Sequence, residues 1–174
     1  VQDISNIIKL AAEPKDTELF LQVYYKLNTY IRKQDALRIA ELSREKDQSV
    51  WETALSYEGL DGYAKSSVKS VATHMEHMLT EPASRAIHRI VQFMGYQDYL
   101  NRCEIKDTKL DTLKILASLE ETPLRLVERL HELRKLIKEK EQDPTCPFIL
   151  STIHASKGLE YDTVYLLDVV DGIL

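Results

Sequence analysis

The chain has 174 residues, a formal net charge of −5 and a pI of about 5.6, so it carries no overall positive charge that would attract nucleic acid. Hydrophobic residues make up 44% and charged residues 29%, with 5 glycines and 5 prolines, which excludes a disordered chain and indicates a helix-rich globular protein. Charges interrupt every apolar run before the roughly 20 residues that a membrane span needs, and the first residues lack the pattern of a signal peptide, so we expect a cytoplasmic protein.

Apolar residues recur at a spacing near 3.6 along most of the chain, which predicts amphipathic helices around a common core. Pro14 ends the first helix, Asp16 and Ser49 are placed to cap two later ones, and Gly59 and Gly62 mark a turn. In chain order the predicted helices carry Ile4, Ile7, Ile8 and Ala11; Phe20, Val23, Tyr24 and Leu27; residues 34–46; Trp51 and Leu55; Ala64, Val68, Val71, Ala72, Met75 and Leu79; Ala86, Ile87, Ile90, Val91 and Met94, closed by Gly95; Leu110, Leu113 and Ala117; and, opened by Pro123, Leu126, Leu130, Leu133 and Ile137.

The sequence pattern changes after Pro144 and Pro147. Residues 148–150 and 164–167 are short apolar runs rich in strand-forming residues, and they predict two buried strands from a larger α/β domain. The predicted fold class is therefore mainly α, a multi-helix domain with a short β appendage.

A polar loop, residues 151–161, joins the two predicted strands. The hydroxyls of Ser151, Thr152 and Ser156 and the cation of Lys157 can bind phosphate oxygens. Gly158 allows a ligand to approach the backbone. Glu160 can accept hydrogen bonds from sugar hydroxyls. From these residues alone, a phosphate or nucleotide site and an ordinary connection between elements both remain open.

The string Thr152-Ile153-His154-Ala155-Ser156-Lys157-Gly158-Leu159-Glu160-Tyr161, followed by Val164-Tyr165-Leu166 and Asp171-Gly172-Ile173, closely resembles motif V of the UvrD/Rep/PcrA-type superfamily 1A DNA helicases. In that family the motif lies in the second RecA-like motor domain, between the nucleotide and single-stranded DNA. The resemblance implies that Gly158, Glu160 and Lys157 bind nucleotide, with Glu160 on the ATP ribose, and that Thr152 and His154 contact the DNA backbone.

The same resemblance implies a domain organisation, because this family inserts a helical 2B-type accessory domain directly before motif V. Residues 1–16 would be the end of a motor-domain segment, residues 17–142 the accessory domain, and residues 143–174 the returning 2A-type motor segment. Family accessory domains touch duplex DNA through a glycine-containing turn, but residues 29–34 contain no glycine. A duplex contact would depend on Arg32 and Lys33, and ordinary solvated surface is the stronger interpretation.

By resemblance, the intact parent would be an ATP-dependent 3′–5′ DNA helicase that uses ATP and Mg²⁺, acts in repair or recombination and is regulated by its helical domain. The sequence has no GxxxxGK[ST] loop, so the fragment itself is expected to be inactive and to bind no cofactor. Two alternatives stay open: a non-enzymatic helical interaction module, and part of a recombination-type helicase-nuclease.

Cysteines and histidines give no further site. Cys103 and Cys146 lack CxxC spacing, which favours reduced thiols over a disulfide or zinc site. His74 and His77 stand one helical turn apart without an evident third ligand, so we expect no metal there. His88 and His131 are expected at helix surfaces.

Overall fold

The computed structural model describes residues 1–105, 109–139, 146 and 148–167, and the chain divides into two compact units, Val1–Lys138 and Glu139–Leu174. Every regular element among the described residues is helical. The α-helices are α1 (Gln2–Ala12), α2 (Thr17–Val23), α3 (Lys33–Lys46), α4 (Val50–Ser56), α5 (Gly62–Met78), α6 (Ala83–Gln92), α7 (Tyr96–Arg102), α8 (Lys109–Ser118) and α9 (Pro123–Lys138), with a 3₁₀ turn at Tyr24–Lys26.

Side-chain caps set where three helices begin. The Asp16 carboxylate accepts from the backbone N–H groups of Glu18 and Leu19 at 2.9 Å each, and the Ser49 hydroxyl accepts from Trp51 N–H at 3.2 Å. Both predicted caps are confirmed. Asp61 caps α5 in the same way, so Gly62 is the first residue of that helix and does not lie in the predicted turn.

The first unit is built around α1 and α6. Helix α1 packs against α2, α5 and α9, while α6 packs against α5, α7, α8 and α9. Ile4, Ile7 and Ile8 are fully buried at the centre, as their spacing predicts. Burial of these stripes, rather than helix propensity alone, stabilises helices of this length.

The structure corrects two sequence predictions in this unit. Helix α7 was not predicted; Gly95 adopts φ +86, a left-handed conformation that suits glycine, and starts a helix that buries Tyr96 and Leu100. Ile137 was predicted to be buried but is exposed. The reason is that α9 buries only residues of its first half, from Pro123 to Leu130.

The second unit lacks the predicted strands. The mainly α fold class is confirmed, but residues 148–150 and 164–167 form no strand and their side chains are exposed. A strand needs a neighbour that satisfies its backbone N–H and C=O groups, and no such ladder forms among the described residues. Pro144, Pro147, Asp171, Gly172 and Ile173 lie outside the described residues, as does the boundary expected at 142, and the predicted domain limits stay predictions.

None of the described helices combines the length and apolar character that crossing a membrane requires. Cys103 and Cys146 are free, exposed thiols. Within the described part of the chain, no three His, Cys, Asp or Glu side chains come together as metal ligands would.

Candidate nucleotide and nucleic-acid interfaces

The polar loop of the second unit folds into a compact turn. The Thr152 hydroxyl accepts from Ala155 N–H at 3.2 Å, and the Thr152 carbonyl accepts from Ser156 N–H at 3.0 Å. Leu159 N–H then donates to the Ser156 carbonyl at 3.0 Å. Thr152 therefore holds the turn together while its own hydroxyl proton remains available for donation.

Gly158 takes a left-handed conformation, φ +84, at the end of this turn. Nothing lies within 4 Å of the position that a Cβ atom would occupy. The space beside this residue is open, so a ligand can approach the backbone closely, and a side chain would meet backbone strain rather than a clash.

The charged members of the predicted site lie on the surface. His154, Lys157 and Glu160 are exposed, and none of them pairs with another described side chain. A cation, a carboxylate and an imidazole thus lie within seven consecutive residues with their polar groups free for a ligand. Their predicted roles are chemically reasonable for this arrangement and stay predictions.

The predicted duplex contact lies in the first unit, in the turn that leads into α3. Arg32 and Lys33 are exposed, and Arg32 makes no side-chain cap for the helix. The Thr29 hydroxyl fixes the turn by donating to the Tyr24 carbonyl at 2.9 Å, and Tyr30 adopts φ +55. A non-glycine residue thus takes a positive φ in this turn, a conformation that is uncommon for side chains with a Cβ atom.

Two exposed tyrosines beside these cations were missed in the sequence. The rings of Tyr30 and Tyr63 meet edge to face with centroids 4.9 Å apart, which places the start of α5 next to the turn before α3. A hydrogen bond with Tyr30, more than the neighbouring charge, raises the pKa of Tyr63. In the sequence, Tyr63 could have been noticed because it lies at the start of a predicted helix but outside the apolar stripe of that helix.

The structure places the predicted residues in two separate groups. Arg32 and Lys33 belong to the first unit, whereas Thr152, His154, Lys157, Gly158 and Glu160 belong to the second. The second group is brought together by the local turn alone.

Comparison with known proteins matches residues 1–174 to the family described as the UvrD-like helicase C-terminal domain. A protein of Bacillus subtilis (strain 168) named as a candidate ATP-dependent DNA helicase, YjcD, is 26% identical over 99% of this chain. F-box DNA helicase 1 of Gallus gallus is 29% identical over 44% of the chain. The chain spans 23% and 7% of the lengths of these two relatives. No solved structure matches.

Proposed function

The chain belongs to the family of UvrD-like helicase C-terminal domains, and from this premise we propose that it is part of an ATP-dependent DNA helicase that moves 3′ to 5′ along single-stranded DNA. The match over the whole chain carries the proposal, because it includes the polar loop as well as the helices. Two relatives whose names contain the words DNA helicase support it. In the parent protein, ATP with Mg²⁺ would supply the energy for movement.

Glu160, Lys157 and Gly158 form the nucleotide side of the proposed site. The exposed Glu160 carboxylate accepts hydrogen bonds from the ribose hydroxyls, and the Lys157 cation attracts phosphate oxygens. The open space at Gly158 lets phosphate oxygens come close to the backbone. Support comes from the exposure of both charged groups and the positive φ of the glycine.

Thr152 and His154 form the DNA side. The Thr152 hydroxyl accepts from Ala155 N–H, and its own proton is donated to a phosphate oxygen. The His154 imidazole supplies a second N–H donor from the same turn. Since the turn from Thr152 to Leu159 links both sides, a shift caused by nucleotide is passed to the DNA contacts through a few residues.

The helical unit regulates the motor in this proposal. Arg32 and Lys33 contact phosphates of the duplex ahead of the motor, and the neighbouring Tyr30 and Tyr63 rings pack against the sugar-phosphate backbone. Phosphate contacts of this kind position a protein on DNA without reading its sequence. The absence of glycine at residues 29–34 means that side chains, not backbone N–H groups, make the contact.

Replacement of Glu160 tests the nucleotide side in the complete parent protein. We expect Glu160→Ala to weaken ATP binding about tenfold or more, because a hydrogen bond to a charged group contributes about 1.5–3 kcal/mol. Asp162→Ala removes an exposed carboxylate two residues away and is the matched control. Equal ATP dissociation constants for the two variants would remove Glu160 from the ribose.

Replacement of His154 tests the DNA side. We expect His154→Ala to lower the affinity for single-stranded DNA and the DNA-stimulated ATPase rate about fivefold, the effect of one lost hydrogen bond of about 1 kcal/mol. His131→Ala, an exposed imidazole on α9, should leave both values unchanged. If His154→Ala behaves like this control, the imidazole does not face DNA.

The duplex contact is tested with Arg32→Ala/Lys33→Ala in the parent. Binding to a junction of duplex and single strand should weaken and its salt dependence should become shallower by about two counterions. Lys46→Ala/Lys69→Ala removes the same charge from exposed positions elsewhere on α3 and α5. Unchanged salt dependence in the Arg32 and Lys33 variant would leave these residues as ordinary surface.

A further inference from the structure

A cleft of about 340 Å³ lies along α6 in the helical unit. Four basic or aromatic side chains line it, together with a hydroxyl and a carboxylate: Arg85, His88, Arg89 and Phe93, with Ser84 and Glu81. None of these residues belongs to the motif loop or to the turn before α3. The cleft is therefore a separate feature of the helical unit.

Each of the three guanidinium nitrogens of Arg89 makes a polar contact, and together these contacts organise one wall of the cleft. Its Nε donates to Glu81 Oε2 at 3.1 Å and its Nη2 donates to Glu81 Oε1, which makes a two-point ion pair. Its Nη1 contacts His74 Nδ1 at 2.8 Å. The hydrogen bond from Arg89 lowers the pKa of Glu81, so this carboxylate stays ionised and its charge is neutralised locally.

The contact with Arg89 also fixes the state of His74. A guanidinium N–H can only donate, so Nδ1 of His74 must be the acceptor and the imidazole is neutral. Burial and the charge of Arg89 both lower the pKa of His74, which agrees with this state. Glu81 thus holds Arg89, and Arg89 holds the ring of His74 in one orientation.

The His74 ring in turn supports Phe93. The two rings are stacked with centroids 5.8 Å apart and an interplanar angle of 15°. His88 packs against Phe93 edge to face at 5.5 Å. Although two rings hold it, Phe93 remains 58% exposed. A single exposed apolar side chain needs no explanation. The Phe93 ring, however, is held in place by a network of four polar residues, so it is preorganised to stack on a planar ligand.

The charge next to this ring is positive. The Glu81–Arg89 pair is neutral as a unit, and Arg85, exposed on the first turns of α6, adds a further cation. The Ser84 hydroxyl and the positive end of the helix dipole lie on the same turn. The cleft therefore combines an open aromatic ring with a site for one anionic group.

We propose that this cleft binds a nucleotide of single-stranded nucleic acid, with the base stacked on Phe93 and the phosphate held by Arg85 and Ser84. Stacking on an aromatic side chain beside a cation is a general way to bind single strands without sequence preference. A duplex would offer no free base face, and an acidic peptide would pair with Arg85 but leave the fixed ring without a flat partner. The proposal takes only its choice of nucleic acid from the proposed function, and it adds a single-strand contact on the helical unit.

The test uses the 174-residue chain without ATP. Phe93→Trp places an indole in the cleft. The natural Trp51 is 5% exposed and therefore shielded from an added ligand, so quenching reports on the indole at position 93. The probes are an oligothymidylate, an abasic oligonucleotide of equal length and a polyglutamate peptide. Phe93→Ala and Arg85→Ala are compared with Phe148→Ala, which removes an exposed ring from the second unit.

We expect oligothymidylate to quench the indole fluorescence of the Phe93→Trp variant, and the abasic strand and the peptide to leave it unchanged. Phe93→Ala should weaken oligothymidylate binding about tenfold, within the range for loss of one base stack, and Arg85→Ala should weaken it and reduce its salt dependence. Phe148→Ala should bind like the unmodified chain. Absence of quenching by oligothymidylate, oligothymidylate binding that Phe93→Ala does not weaken, or quenching by polyglutamate would overturn the proposal. Neither result depends on ATP, Glu160 or His154, so a failure here is distinguishable from a failure of the motor proposal.

Discussion

Phe20 and Phe148 show how differently the two units use the same kind of residue. Phe20 is 0% exposed and packs edge to face on Trp51, whereas Phe148 is 81% exposed. The first unit has a continuous buried core, and in the second every side chain of residues 148–167 lies at or near the surface. In the helical unit, packing of buried side chains therefore determines the structure. In the motif loop, the candidate site is recognised from the order of its polar residues.

The largest effect should come from the core aromatic. Phe20→Ala should destabilise the helical unit by about 3–5 kcal/mol, because it removes a large buried ring and leaves a cavity. Phe148→Ala should change the free energy of unfolding by less than about 0.5 kcal/mol. Chemical denaturation followed by Trp51 fluorescence measures both. Similar midpoints for the two variants would mean that the described core does not stabilise this unit.

The contribution of an ion pair to stability should likewise depend on whether the pair is buried or exposed. Lys26 has a side chain only 10% exposed and donates to Asp3 Oδ1 at 2.6 Å, and Tyr96 Oη donates to Asp3 Oδ2 at 3.2 Å. Burial lowers the pKa of Lys26. The hydrogen bonds and charges of Asp3 and Tyr25 raise it by more, so the net shift is upward and the lysine stays charged.

Removal of the Asp3 carboxylate should therefore be costly. Asp3→Ala should destabilise the unit by about 3 kcal/mol, the lower end of the range for breaking a buried pair, because Asp3 itself is partly exposed. Lys15→Ala breaks the exposed Lys15–Asp47 pair, 2.9 Å long, and should cost less than about 1 kcal/mol. Urea denaturation measures the free energy of unfolding of both variants. An equal decrease in the two would contradict the burial of the Asp3–Lys26 pair.

Two glycines with nearly the same positive φ angle should differ in their effect on stability. Gly95 and Gly158 have φ +86 and +84, but a Cβ atom at Gly95 would collide with the Asn28 side chain, whereas the space at Gly158 is empty. Gly95→Ala should cost about 2 kcal/mol, since backbone strain of about 1–2 kcal/mol adds to displacement of the Asn28 side chain. Gly158→Ala should not change the denaturation midpoint of the helical unit. A wild-type midpoint for Gly95→Ala would show that the turn before α7 is not constrained as described.

Local patterns in the sequence were sufficient to predict most of the helices. The cap at Asp16 and the stripe of Ile4, Ile7 and Ile8 depend on neighbouring residues, and both are confirmed. Helix α7 has only seven residues and is formed by docking on α6, so no long periodic pattern revealed it. The exposed Ile137 follows the same helical spacing as buried residues, and only the extent of the neighbouring helices decides that it stays in solvent.

The candidate sites were predictable to different degrees. The motif loop is continuous in the sequence, so its residues could be selected without a structure, although their roles remain predictions. The cluster around Phe93 joins residues from α5, α6 and the turn between them. Because only helix packing brings Arg89 to His74, the sequence offered a His74–His77 pair instead and gave no indication of the cleft.

Strand separation by the complete parent protein would test its assignment as a helicase without intermediate steps. Duplexes with a 3′ or a 5′ single-stranded tail should be compared with and without ATP, with ATP hydrolysis measured in parallel. We predict ATP-dependent unwinding of the 3′-tailed duplex and ATP hydrolysis stimulated by single-stranded DNA. A complete protein that neither hydrolyses ATP in the presence of single-stranded DNA nor separates the 3′-tailed duplex would contradict this assignment.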